Sequence, residues 1–387
     1  MSTQLPHGSQ HDENKEGFPA IGNPQKWQPF CTGSPEIPPG FDLSRGEDGG
    51  SLVVVKETDR PAQCGWTSPR LCLQPGRYHR FSLRCRTTGY GFWEVQFFND
   101  GEPVDFYSSG VPDTCGTWRE LEWYFCGKHD RGPCRTVVWP GEQGRIEVAD
   151  LHMREADDAE AWQWFRDIMR GLPEVPEESS PQPGRFLART RSKLQAGDPD
   201  RPVDIATYGD SVGFDVGNMP LDLALEQAHP GANVQLHTRG KGSGGWDELG
   251  RPEMLEERIL DLEPDLLVCL GVSTLPEEIP ATLEPLIERV RAGGQTEVML
   301  VTNHRGAGPE VEPQRGQAHW DACAEAIRGV ARRRECELVD FRAIIKRMLA
   351  EGRPPADRLR WYMRDTSCHL NDRGRAVALT LMARHLR

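Results

Sequence analysis

Ser211 ends the run Ile205-Ala206-Thr207-Tyr208-Gly209-Asp210-Ser211, and Asp365 and His369 share the run Asp365-Thr366-Ser367-Cys368-His369-Leu370-Asn371. A serine hydroxyl is a weak nucleophile at neutral pH. It needs a neighbouring base to take its proton and a carboxylate to orient that base. The chain carries all three types in the order Ser…Asp…His. Each has a blander use: Asp210 and Ser211 are good helix starters, His369 can be a surface histidine, and Asp365 can pair with Arg364 or Arg373.

These residues need a scaffold, and the segments between them supply one. From 202 onward, short apolar runs at 203–208, 233–238, 265–270, 297–302 and 337–341 read as strands. Segments with helical spacing lie between them, at 221–228, 252–262, 277–291, 317–333 and 341–351, and a last helix spans about 372–386. This βαβ rhythm predicts a parallel sheet with helices on both faces. In such sheets the site forms at the carboxyl ends of the strands. The segments 209–211, 240–245, 271–273 and 303–304 all follow strands and should converge there.

With its strand, its Gly209-Asp210-Ser211 block and its His369-Leu370-Asn371 block followed by Gly374, the segment 200–387 resembles the SGNH (GDSL) hydrolase family. The resemblance implies a flavodoxin-like three-layer α/β domain with Ser211 as nucleophile, His369 as general base and Asp365 as its orienting carboxylate. It also implies an oxyanion hole made by the Ser211 N–H, by a glycine of the loop after the second strand (Gly242 or Gly244), and by a side chain near Ser273 or Asn303. The family spaces its Asp and His three positions apart, and here Asp365 and His369 are four apart. The family's Gly-x-Asn reads Gly271-Val272-Ser273, so a hydroxyl of shorter reach replaces the amide. No metal or organic cofactor is implied.

The first half differs in kind. Runs at 51–55, 77–83, 91–98, 118–125, 135–139 and 144–153 alternate apolar and polar residues, are rich in aromatics, and are bounded by Gly, Pro, Asn or Asp. That pattern predicts an antiparallel β-sandwich. It is similar to the jelly-roll modules of carbohydrate-binding domains. Trp66, Trp93, Trp118, Trp123 and Trp139 invite a sugar-stacking role, although alternation points most of them inward. The expected organisation is an irregular lead-in (1–45), a β-sandwich (46–154), a helical and Pro-rich connector (155–200) and a hydrolase domain (201–387).

A length of 387 residues suits two domains, and 37% apolar with 27% charged residues suits a globular chain. The net charge of −13 disfavours a nucleic-acid partner. No apolar run approaches the roughly 18 residues that span a bilayer. The polar segment 1–17 lacks the apolar core of a signal peptide, which reads as cytoplasmic. Of the 11 cysteines, seven lie between Cys31 and Cys134, and no Cys-x-x-Cys pair occurs. Buried free thiols are favoured over disulfides, and a structural zinc is not expected. The expected activity is hydrolysis of a small-molecule or polysaccharide ester, with removal of an acetyl group from carbohydrate foremost. A lipase or thioesterase of the same fold and a catalytically weak glycan-binding member are the alternatives. Oligomeric state is not legible.

Overall fold

The computed structural model of the chain describes residues 18–387 except 33, 35, 48, 60–61, 100–101, 128–132, 179–181, 243, 272, 305–315, 351–360 and 365–368. Ten strands precede the first α-helix: β1 (Gln28–Cys31), β2 (Phe41–Arg45), β3 (Ser51–Lys56), β4 (Cys64–Thr67), β5 (Tyr78–Thr88), β6 (Gly91–Asn99), β7 (Glu102–Val111), β8 (Arg119–Cys126), β9 (Cys134–Pro140) and β10 (Gly144–Ala156). They form two five-stranded sheets, ordered β1-β4-β9-β6-β7 and β2-β3-β10-β5-β8, with antiparallel pairings. One core holds both together: Trp66, Trp93, Val95 and Phe97 of one sheet pack with Leu52, Phe81, Trp123 and Ile146 of the other.

Two features depart from the sequence reading. β1 and β2 lie inside the segment expected to be irregular, and Ile21 and Trp27 of that segment are fully buried in the sandwich core. Short strands interrupted by Pro and Gly leave no run long enough to show a period of two. Cys31 and Cys64 face each other across β1 and β4 and are disulfide-bonded, whereas free thiols were favoured. Pairing of these two strands brings together cysteines 33 residues apart.

Trp66, Trp93 and Trp123 point into the core between the sheets as alternation expects, whereas Trp139 lies opposite Phe92 on the outer face and packs there against Phe30 and Phe92. Trp66, Trp93, Trp123 and Trp139 are buried. Trp118 is covered by the guanidinium groups of Arg84 and Arg86.

Helix α1 (Asp158–Arg170) is capped by Asp157, whose side chain accepts from the Glu160 N–H. Its aromatic face bridges the two halves, with Phe165 in the core of the second half and Trp164 touching both cores. Helix α2 (Ala188–Ala196) follows.

The remaining strands are β11 (Val203–Gly209), β12 (Val234–Thr238), β13 (Leu266–Leu270), β14 (Glu297–Val301) and β15 (Glu337–Val339), paired parallel in the order β12-β11-β13-β14-β15. The helices between them are α3 (Ser211–Gly217), α4 (Leu221–Ala228), α5 (Trp246–Leu249), α6 (Pro252–Leu255), α7 (Ile279–Ala292), α8 (Gln317–Arg333) and α9 (Phe341–Ala350), and α10 (Asp372–Leu386) closes the chain. The chain goes from β11 outward to β12 and then returns past β11 to β13. The crevice between β11 and β13 is therefore the switch point at which such sheets build their sites. Among the described residues, no helix is long and apolar enough to cross a membrane.

The connector is pinned to the sheet by a buried charge cluster. His385 of α10 is fully buried between Glu178 and Glu337. Glu337 also accepts the N–H groups of Gly184 and Phe186. Burial opposes a charge on His385, but hydrogen bonds to both carboxylates outweigh it and hold its pKa at about 9. The folded pKa therefore lies above the unfolded value near 6.5. The stabilisation, about 3 kcal/mol, is complete below about pH 6.5 and lost as pH rises through about 9. We expect the thermal midpoint to fall between pH 6.5 and 9, and the fall to flatten in His385→Asn, as read by calorimetry at a series of pH values.

Candidate active site

β11 is buried from Ile205 onward and ends at Gly209. A Cβ at Gly209 would lie 1.6 Å from the Leu270 carbonyl oxygen, so only glycine lets β11 and β13 close at this level. The chain then turns into α3. Asp210, fully buried, is its N-cap: Oδ1 accepts from the Val212 N–H at 3.0 Å and Oδ2 from the Ser273 hydroxyl at 2.7 Å. Ser211 is thereby the first helical residue, with its N–H at the open helix end.

His369 comes to Ser211 from the far end of the chain. Its Nε2 lies 3.0 Å from Ser211 Oγ, within hydrogen-bond reach. Both ends of its loop are tied. The Arg364 N–H donates to the His369 carbonyl at 2.8 Å, Met363 bridges Leu370, and the Asn371 N–H donates to the Tyr362 carbonyl. The Asn371 side chain caps α10 by accepting the Arg373 and Gly374 N–H groups, and donates to the Trp361 and Met363 carbonyls. Asp365 lies outside the described residues.

A buried acid joins the two halves of the pair. Asp215 sits one turn after Ser211 on α3. Its Oδ2 accepts the Leu370 N–H at 2.9 Å, and its Oδ1 meets Arg375 of α10 at 2.9 Å. Arg375 also bonds Asp372 and the Ser108 carbonyl of β7. Burial works against the guanidinium charge, but Asp215, Tyr107 and Asp372 outweigh it and keep Arg375 protonated. The sequence contained a hint of this. Asp215 is a charge inside the otherwise apolar helical stretch Val212–Val216, and such a charge needs a partner.

The sandwich reaches into the site through β7, the edge strand of its sheet. The Phe106 ring stands edge-on to His369 at 6.0 Å and to Phe214 at 5.4 Å. The Phe106 carbonyl accepts from the Asn218 amide at the end of α3. Tyr107 and Ser109 donate to Asp372 at 2.7 and 2.8 Å, and Ser108 bonds Arg364. These polar groups obscured β7 as a strand: the Tyr107 ring packs in the sandwich core, but its hydroxyl and those of Ser108 and Ser109 find partners in the neighbouring half of the chain.

The expected oxyanion partners are placed differently from the reading above. Asn303 is fully buried, with its amide donating to the Trp320 carbonyl and its oxygen accepting from Arg342. Its side-chain oxygen and nitrogen are thus committed to partners inside the fold, just after β14. Ser273 commits its hydroxyl to Asp210. The Gly244 N–H donates to the Lys241 carbonyl at 3.0 Å, which closes a turn and withdraws it from a donor role. Gly242 is exposed, with open space around it. Trp246 is buried against Gly271 and packs the loop. Among the described residues, no group of three or more His, Cys, Asp or Glu is arranged to hold a metal ion.

No family model and no curated protein matches this chain. Among solved structures it is similar to a protein from Parabacteroides merdae described as a GDSL-like lipase, at 16% identity over 48% of this chain and 96% of that one, with a TM-score of 0.39. It is similar to an acetylxylan esterase from Geobacillus stearothermophilus, at 16% identity over 47% of this chain and 93% of that one, with a TM-score of 0.39. A third is an α/β hydrolase from the metagenome of Lake Arreo, Spain, at 18% identity over 48% and 94%, with a TM-score of 0.38.

Proposed function

We propose that the chain is a serine ester hydrolase of the SGNH (GDSL) type, acting on acylated, foremost acetylated, carbohydrate. The observation that carries the reading is the 3.0 Å approach of His369 Nε2 to Ser211 Oγ, beside the β11–β13 switch point. His369 takes the hydroxyl proton as Ser211 Oγ attacks the ester carbonyl. The Ser211 N–H, at the start of α3, faces the developing oxyanion. The tetrahedral adduct collapses as His369 gives its proton to the leaving alcohol. Water then attacks the acyl-enzyme carbonyl, losing a proton to His369, and the acid departs as His369 returns that proton to Ser211 Oγ. Asp365 is proposed as the carboxylate that orients the imidazole. Asp215 and Arg375 are positioning residues, holding the His369 loop against the helix that carries Ser211.

Purified protein is to be assayed on p-nitrophenyl acetate, butyrate and octanoate, and labelled with a fluorophosphonate followed by peptide mapping. We expect hydrolysis ranked acetate first and the label on Ser211. A folded protein that neither turns over these esters nor takes the label overturns the reading.

A further inference from the structure

We propose that the outer face of β9, β6 and β7 is the subsite for the leaving alcohol, that Phe106, Gln96 and Arg135 are its specificity-determining residues, and that the alcohol it takes is polyhydroxylated. The proposal rests on the reading of Ser211 and His369 as a catalytic pair.

Direction comes first. The group that protonates the leaving oxygen must reach it, so the alcohol half of the ester lies on the His369 side of Ser211. Phe106 is the sandwich residue on that side, with its ring edge-on to the imidazole.

The sheet register then extends the surface. Gln96 of β6 is directly opposite Phe106 of β7, and Arg135 of β9 is directly opposite Gln96. Trp93, Val95 and Phe97 point into the sandwich core, so alternation puts Gln96 on the outer face. Two strand spacings separate Phe106 from Arg135, about 10 Å, the reach of a short saccharide. All three side chains are half-buried and so open to solvent.

The row is preorganised. Gln96 Nε2 donates to Glu94 Oε1 at 2.7 Å, and Arg135 Nε donates to Gln96 Oε1 at 2.9 Å. Glu94 itself is buried and paired with Arg364 at 3.4 Å. A glutamine has a second amide N–H and an arginine four further N–H groups, so both keep donors for a ligand. An aromatic wall followed by fixed planar donors suits a sugar, which presents C–H faces and hydroxyls together. An alkyl alcohol would have no use for Gln96 or Arg135. Because β7 is bonded to Asn218, Asp372, Arg364 and Arg375, this face is held in place relative to Ser211. The sandwich is then part of the active site and not a tethered module.

The test is the ratio of kcat/KM on glucose pentaacetate to kcat/KM on p-nitrophenyl acetate, in wild type, Gln96→Ala, Arg135→Ala and Phe106→Leu. A ratio is insensitive to partial unfolding, since both substrates report on the same folded population. We expect it to fall about tenfold in each variant, the loss of roughly one good hydrogen bond or ring contact. Ratios within twofold of wild type in all three variants overturn the subsite. Ser211-dependent cleavage of p-nitrophenyl acetate with no cleavage of the sugar ester also overturns it, and leaves the hydrolase reading standing. Failure on both esters removes both.

Discussion

Ser211→Ala is expected to lower kcat/KM on p-nitrophenyl acetate by roughly 10³- to 10⁶-fold while leaving the protein folded. The substitution deletes one oxygen, and with it the atom that His369 Nε2 meets at 3.0 Å. Each decade of rate is about 1.4 kcal/mol of transition-state stabilisation, so the loss corresponds to roughly 4–8 kcal/mol. Stability should move by less than about 1 kcal/mol. Asp210, not Ser211, caps α3, and alanine is the best residue for the helical position that Ser211 occupies. Steady-state kinetics and a thermal melt on the same preparation read both quantities. An alanine variant with wild-type turnover would place the nucleophile elsewhere.

The largest stability effect should come from Arg375→Met. Arg375 is fully buried, and its guanidinium joins Asp215, Asp372 and the Ser108 carbonyl. Methionine fills similar space but takes the cation away from both Asp215 and Asp372. Breaking one partner of a buried pair costs about 3–5 kcal/mol, most of it the penalty of the stranded charge. The thermal midpoint should drop by roughly 4–6 °C for a protein of this size. Asp215→Asn in the same chain should recover part of that loss, because the two changes act on one network. Activity should fall further than the folded fraction, since Asp215 also holds the Leu370 N–H beside His369. Additive melting shifts in the double variant would argue against a shared network.

Much of the second half was legible. The strands at 203–208, 265–270 and 297–302 are mostly apolar, with charges only at or next to their first residues, because both faces of the sheet are covered, and that signal survives without any knowledge of the fold. Helices 221–228 and 317–333 carry their apolar residues at helical spacing and lie at those positions. β7 was not legible because its polar side chains are satisfied by Arg364, Asp372 and Arg375, more than 250 residues away in sequence. The partners of three expected oxyanion donors were hidden for a related reason. Asn303, Ser273 and Gly244 are of the right types after the right strands, but each has its polar groups committed to a partner that only packing reveals.

Residue type and order alone set the chemistry within reach: a hydroxyl after a buried strand, an imidazole ahead of a closing helix, and the alternation that builds a parallel sheet between them. Those signals are local, since they follow from periods of two and 3.6 and from turn residues. The tertiary structure decided which groups meet. The approach of His369 to Ser211 spans 158 residues and depends on Asp215, Arg375 and Asn371 tying one loop to one helix. The arrival of Phe106 beside that pair depends on the edge of a second sheet being covered by α3 and α10. Long-range contacts of this kind leave no period in the chain, because each is one hydrogen bond or one buried charge and not a repeating pattern.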